Sequence, residues 1–263
     1  MLTEEQKTHF HSLGFLKVPG ALSPQEVDEF ARRFDNAVVT VQEDPSAAGM
    51  RIFPDGHRVI VPLLEADPYF YTVLDHPVLA AIGEDLLGED CVFPGFSDGQ
   101  IHNGNTNWHQ DGTWPWPGVR AKLTFYLDEV APGKGCLSFI PGSHLWPEHF
   151  NVLERNVDER VLGYDMPEFP GRYDLPADKG DVLVFHTRIW HSSWGGGANR
   201  RQMAWMLQTC PRMSWEVQRI VEGYKAYAQE WSPQTGRLVS DRFYETAGPR
   251  RMKKIGLLQE HNL

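Results

Sequence analysis

The sequence predicts a mainly β protein with helices on its outside. Two observations carry that expectation. Between Cys91 and Pro211 the short apolar runs Val92-Phe93, Leu123 to Leu127, Cys136 to Ile140, Val182 to Phe185 and Met203 to Leu207 are separated by Gly, Pro and Asn, as in short strands joined by turns. The chain also carries nine Trp, fourteen Phe, nineteen Pro and twenty-four Gly among 263 residues. Aromatic side chains favour pleated surfaces, whereas Pro and Gly interrupt helices, so a sandwich or barrel of short strands is expected rather than a helical bundle. No internal period is visible, and the length suits one domain spanning 1–263 with ample material for a core.

The elements follow from local signals. Thr3-Glu4-Glu5-Gln6 has the spacing of a capping box and predicts a helix to Leu13, stopped at Gly14. Phe15 to Val18 then reads as a strand. Ser23-Pro24-Gln25-Glu26 repeats the device, and Val27, Phe30, Phe34, Ala37 and Val38 fall on one face of the helix that follows. From Gln42 to Asp67 the text is rich in Pro, Gly and charge, which predicts loops around a short strand, Val59 to Val61. Pro77 opens a third helix, with Val78, Leu79, Ile82, Leu86 and Leu87 apolar and Gly88 as its stop. Residues 1–90 thus brace the core at 91–211. The segment 214–263 holds an amphipathic stretch, Trp215 to Trp231, and an irregular tail with a basic patch at Arg250-Arg251 and Lys253-Lys254; it reads as a lid or an oligomer contact.

Composition removes several classes of function. Twenty-five Lys and Arg against thirty-five Asp and Glu give a net charge of −10, the opposite of what phosphate neutralisation requires, so nucleic acid is not an expected partner. No apolar run approaches the length of a spanning helix, so no membrane is expected either. Cys91, Cys136 and Cys210 are odd in number and lack zinc or redox spacing, which fits buried thiols in a reducing cytoplasm. Met1 to Phe10 carry polar and charged groups in place of an apolar segment, so no secretion signal is expected.

Two constellations could carry chemistry. In Trp108-His109-Gln110-Asp111-Gly112 an imidazole and a carboxylate stand two apart, on the same side of an extended strand. Gly180-Asp181 precedes the strand Val182 to Phe185, then His186, His191, Arg200 and Arg201. Two His and one carboxylate on one face of an ion leave adjacent positions open, the arrangement of non-haem Fe(II) oxygenases. On a continuous strand His186 and His191 face opposite sides, so only one joins His109 and Asp111. Alone, a His-x-Asp pair is more often a hydrogen-bonded strand end than a metal site.

Taken in order, "FHSLGFLKVPGALSPQEVDEF", "NWHQDGTW", "LDEVAPGKGCLSFIPGSH" and "GDVLVFHTRIWHSSWGGGANRRQMAW" resemble the phytanoyl-CoA dioxygenase-like family of Fe(II)- and 2-oxoglutarate-dependent oxygenases. The likeness runs from about Leu2 to Pro211. It implies a double-stranded β-helix, a jelly-roll barrel, with the metal inside one end. It implies Fe(II), 2-oxoglutarate and O2, with succinate and CO2 formed as a small-molecule substrate is oxidised. Hydroxylation is the default, and desaturation, cyclisation or epimerisation are variants of it. By the same resemblance His109 and Asp111 are the proximal ligands and His191 the distal one, with His186 as competitor.

The far carboxylate of 2-oxoglutarate calls for the two-pronged match that Arg offers. Arg200 or Arg201 supplies it, and "RRQMAW" favours Arg200. Both lie closer to the distal His than is usual in the family, so the loop between is shortened. Asn103, Asn105 and Asn107 share the strand parity of His109, and Thr124 lies on the next strand; these are candidates for touching the cosubstrate. His144 is expected to be structural, and His57, His76, His102 and His149 receive no role. Trp114, Trp116, Trp146 and Trp194 either line a substrate pocket or pack the core. The carboxylate at Asp111 disfavours halogenation, since related halogenases have a small residue there. The net charge of −10 disfavours a CoA thioester and favours a small natural-product or amino-acid-like metabolite. The expected protein is a cytoplasmic monomer or small homo-oligomer. The competing readings are a barrel metalloenzyme independent of 2-oxoglutarate and a ligand-binding barrel without catalysis.

Overall fold

Capping chemistry sets the first helices where the sequence predicts them. In α1 (Glu4–Leu13) the Thr3 hydroxyl accepts from the Gln6 amide while the Gln6 side chain accepts from the Thr3 amide. The helix stops at Gly14, whose φ of +89° favours glycine. After β1 (Phe15–Val18), Ser23 and Glu26 cap α2 (Pro24–Glu43) in the same reciprocal way. This helix buries Val27, Phe30, Phe34, Ala37 and Val41, with Val38 only half-buried beside them. Two short helices, α3 (Leu63–Ala66) and α4 (Thr72–Asp75), precede α5 (Pro77–Leu87), whose end at Gly88 agrees with the sequence reading.

The protein is described by a computed structural model over residues 1–46, 48–102, 104–111, 118–145, 169, 171–197 and 199–263. The remaining strands are β2 (Gly49–Ile52), β3 (Arg58–Val61), β4 (Ser97–His102), β5 (Thr106–His109), β6 (Arg120–Tyr126), β7 (Leu137–Phe139), β8 (Tyr173–Leu175), β9 (Val182–His186), β10 (His191–Ser193) and β11 (Arg200–Gln208). They form two antiparallel sheets, one of seven strands in the order β1-β9-β6-β11-β4-β3-β2 and one of four in the order β5-β10-β7-β8. Val92-Phe93, expected as a strand, contributes only an isolated bridge from Val92 to Gln208.

Each long strand of the larger sheet sends alternate residues to opposite sides. Val182 and Val184 of β9, Leu123 and Phe125 of β6, and Met203, Trp205 and Leu207 of β11 join the main core with Phe30, Phe34 and Leu79 of the helices. The opposite parity of the same strands faces the smaller sheet, where Leu183, Phe185 and Tyr126 pack with Leu137, Phe139 and Leu175. That parity also carries Lys122 and Thr124 of β6, Arg200 and Gln202 of β11, and Asp98, Gln100 and His102 of β4. Polar side chains are therefore concentrated between the two sheets, directly beside the Phe139 cluster, whose Phe185 ring lies 4.7 Å from that of His191.

The C-terminal segment is helical throughout its larger part: α6 (Ser214–Trp231), α7 (Asp241–Glu245) and α8 (Pro249–Glu260). α6 matches the amphipathic stretch read from the sequence. The tail beyond it is not irregular, and its basic patch is divided. The Arg251 guanidinium lies buried over Tyr71 and Phe243, at 4.9 and 5.1 Å from the ring centroids, while buried Lys254 reaches Glu84 at 2.7 Å. One apolar cluster runs from Leu2 to Leu263 and ties both ends of the chain to the sheet. No helix of the described residues is long and apolar enough to cross a membrane.

Candidate metal centre

β5 and β10 are neighbours in the smaller sheet, with His191 directly opposite His109. Asp111, two residues beyond His109, is held by its backbone amide, which donates to the Thr187 carbonyl at 3.0 Å. One ligand atom from each of His109, Asp111 and His191 lies within 4.8 Å of the others. Asp111 Oδ1 is 3.7 Å from His109 Nε2 and 3.8 Å from His191 Nε2. Both imidazoles are oriented by the backbone: Nδ1 of His109 donates to the Asn107 carbonyl at 2.8 Å, and Nδ1 of His191 to the Ile189 carbonyl at 3.0 Å. A carbonyl only accepts, so each Nδ1 carries the proton and each Nε2 turns its lone pair to the space that it shares with Asp111 Oδ1. Burial pushes the His191 imidazole down to about 3, so it is neutral, as a metal ligand must be. Two imidazole nitrogens and one carboxylate oxygen converging in this way fit a divalent first-row metal.

Lys122 is the second charge of the site. Its ammonium lies 3.1 Å from Asp98 Oδ1 and 3.3 Å from Asp111 Oδ2, with all three side chains largely buried. Burial alone would raise the Asp111 carboxyl, but the Lys122 ammonium beside it brings it down to about 2. The lysine faces one carboxylate oxygen and leaves the other turned to the imidazoles. Sequence reading missed Lys122 and Asp98. Parity with Thr124 was the available signal, since a lysine two residues before it on an otherwise apolar strand faces the same side.

The structure separates the two arginines. Arg201 is occupied, with its guanidinium on Asp128 at 2.7 Å and on Asp35 at 2.8 Å. Arg200 is 6% exposed and donates to the Ser193 hydroxyl at 2.7 Å, while its Nε and Nη1 have no hydrogen-bond partner among the described residues. Glycines make its berth: a Cβ would stand 1.4 Å from Arg200 Nη1 at Gly135 and 1.9 Å from it at Gly196. A buried guanidinium with orphaned donors fits a carboxylate ligand.

Between Ser193, the hydroxyl that Arg200 touches, and the three metal-ligand candidates lies an inner cavity of about 40 Å³, lined also by His102, Thr106, Tyr126 and Gln202. It is water-sized as it stands, so admitting a five-carbon diacid requires its side chains to part.

Other candidates fall elsewhere. β5 is irregular against β10, so that Thr106 pairs with Ser193 while His109 pairs with His191. The extra residue breaks the parity rule: Thr106 lines the inner cavity, whereas the Asn107 side chain is exposed and only its carbonyl serves the site. Asn105 accepts from the Gly195 amide at 2.8 Å. Thr124 stands behind the cavity, accepting from Gln202 Nε2 at 2.8 Å, and Gln202 Oε1 in turn meets His102 Nε2 at 3.0 Å. His102, given no role from sequence, is thus part of the lining. His186 ends β9 in the larger sheet and lies against the His144 ring at 5.0 Å, away from the ligands. A turn separates it from β10, so the premise of one continuous strand does not hold. His144 is structural, donating to the His11 carbonyl at 3.1 Å. Trp194 packs with Trp108, Ile140, Phe169 and Trp190. Asn103, Trp114, Trp116, Trp146 and His149 lie outside the described residues.

Two antiparallel sheets enclosing a His-x-Asp and a distal His define a class, the double-stranded β-helix with a two-histidine, one-carboxylate centre. The chain belongs to the phytanoyl-CoA dioxygenase (PhyH) family, whose profile matches residues 10–202. Among curated proteins it is similar to dioxygenase af480 of Aspergillus fumigatus, 25% identical over 207 residues that cover 72% of this chain and 60% of that protein. It is also similar to a probable phytanoyl-CoA dioxygenase of Caenorhabditis elegans, 24% identical over 77% of this chain and 72% of that one. Among solved structures, the carbocyclase SnoK from nogalamycin biosynthesis superposes with a TM-score of 0.63 at 21% identity, covering 79% of this chain and 84% of that one. HygX from Streptomyces hygroscopicus, solved with nickel and 2-oxoglutarate, gives 0.59 at 22% identity, covering 80% and 88%. These likenesses establish the jelly-roll fold.

Proposed function

We propose that the protein is a non-haem Fe(II)- and 2-oxoglutarate-dependent oxygenase of a small-molecule metabolite, with His109, Asp111 and His191 as metal ligands and Arg200 as the anchor of the 2-oxoglutarate far carboxylate. One observation carries the reading: a convergent His-Asp-His set shares the space between the sheets with a buried guanidinium whose Nε and Nη1 lack partners among the described residues. Bound Fe(II) supplies oxygen activation coupled to conversion of 2-oxoglutarate into succinate and CO2. The chain's own residues do the rest. The backbone carbonyls of Asn107 and Ile189 fix the tautomers of the two imidazoles. Lys122 keeps Asp111 ionised, and Ser193 orients Arg200. The outcome, hydroxylation or one of its variants, depends on which substrate carbon these groups hold nearest the metal. The relatives solved with nogalamycin RO and with hygromycin B support a small-molecule substrate.

Anaerobic titration with Fe(II) and 2-oxoglutarate tests the reading through the visible metal-to-ligand charge-transfer band. Wild type develops the band, and His109→Ala, Asp111→Ala and His191→Ala lose it. Arg200→Met weakens 2-oxoglutarate binding about a hundredfold, the scale for truncating one partner of a buried charge pair, while Arg201→Met binds as wild type does. Bound iron without a band in wild type sinks the 2-oxoglutarate assignment. Equal losses in the two arginine variants sink the choice of Arg200.

A further inference from the structure

Resting on that reading, we infer that α6 forms the substrate-selecting wall of the site and that the substrate is a neutral molecule built from rings. The wall faces an outer cavity of about 670 Å³ that reaches His109 and Asp111, within the range of small-ligand sites. α6 begins beyond the region that matches the family profile. Its buried face, Ile220, Tyr224 and Ala228, anchors it to the core. The adjoining face, Gly223, Ala226, Tyr227, Glu230 and Trp231, lines the cavity. These positions follow the three-to-four spacing of a single helical stripe. Small residues at 223 and 226 leave room over the site, and aromatic rings at 227 and 231 border it.

The wall is fixed in place. The Tyr227 ring meets Phe96 edge-on at 4.5 Å and Trp231 at 5.9 Å. Arg51 of β2 lies 3.8 Å over the Trp231 ring and pairs with Glu230 at 3.1 Å, also donating to the Glu230 carbonyl. Phe53 completes an aromatic border with Phe96, Tyr227 and Trp231; Arg51, Arg120 and His57 each lie against one face of Trp231, Phe96 and Phe53, so the border meets a ring system through ring edges and remaining faces.

Charge decides the rest of the class. The lining carries Asp98, Asp111 and Glu230 against Arg120 and Lys122. Lys122 already faces two of the carboxylates. Among the described residues the cavity therefore has no cluster of cations for a di- or triphosphate, and a CoA ester is disfavoured. Gln100 and Gln110 also line the cavity; their Nε2 groups donate to Asp98 Oδ2 and to the Arg188 carbonyl, which leaves their amide oxygens to accept from hydroxyl groups of the ring system.

Isothermal titration calorimetry on protein loaded with Zn(II) and 2-oxoglutarate tests this with three neutral ring probes, a flavonoid glycoside, an anthraquinone and a steroid, against decanoyl-CoA. At least one ring probe is expected to bind roughly tenfold or more tightly than decanoyl-CoA. Ala226→Leu, which fills the cavity from the helix, is expected to weaken that probe about tenfold, on the scale of overpacking. Lys225→Leu, exposed on the opposite side of the helix, serves as the control, and Trp231→Leu repeats the test on the wall if Ala226→Leu loses its cooperative melt. Tighter binding of decanoyl-CoA, no binding by any ring probe, or equal losses in the wall and control variants would overturn the inference. A preliminary titration of Zn(II) and 2-oxoglutarate keeps the two readings apart: its failure counts against the oxygenase, and the ring probes are then measured on the metal-free protein.

Discussion

Lys122 shows how one side chain organises a site that its neighbours in sequence do not announce. Its ammonium is buried between Asp98 and Asp111, where an unpaired charge would be costly. Lys122→Met should therefore destabilise the metal-free protein by about 3 kcal/mol, read from urea unfolding, because it strands two carboxylates. Adding Asp98→Asn should recover part of the loss; strictly additive effects would show that the pair is not coupled. At this scale the candidate ligands were legible, since the two-residue spacing flagged His109 and Asp111, although β5 ends at His109, and the family resemblance pointed to His191 and Arg200. Asp98 and Lys122 were not, because they meet across two strands that neighbour β11 rather than each other.

Helices were easier to read than strands because their ends are written locally. The Ser23 hydroxyl accepts from the Glu26 amide and the Glu26 carboxylate answers at the Ser23 amide. Ser23→Ala should cost about 1 kcal/mol of stability, measured as a lower urea midpoint with unchanged slope; no loss would mean that α2 is held by packing alone. Strands depend on partners. Ser97–His102 has the polar text Ser-Asp-Gly-Gln-Ile-His yet forms β4, because β3 and β11 pair with its two edges. The irregularity of β5 moves Asn107 out of the cavity and Thr106 into it, a reversal that no count of residues along one strand predicts.

Across the whole molecule, burial of several imidazoles ties stability to pH. Desolvation pushes His102, His186 and His191 down to about 3. Unfolding returns each to its ordinary value near 6.5. Between these limits the unfolded chain binds more protons, so stability is full above pH 6.5 and falls as acid is added towards pH 3. Each imidazole contributes a slope of up to about 1.4 kcal/mol per pH unit. Urea midpoints of the metal-free protein should fall steadily from pH 7 to pH 4. A flat profile would mean that these rings are charged in the folded state.

The sequence by itself determined the starts of α1, α2 and α5, the mainly β core and the family, because these rest on caps three residues apart, alternation along a strand and an ordered run of motifs, and it named His109, Asp111 and His191 as candidate ligands. Only the tertiary structure decided which arginine faces the site. Arg200 and Arg201 are adjacent and alike in composition, but the parity of β11 turns one inward to Ser193 and the other outward to Asp35 and Asp128. The same holds for Lys122 against Asp98 and for α6 against the outer cavity. These depend on which distant segments pack together, and that choice is made by burial summed over the whole core rather than by any local pattern.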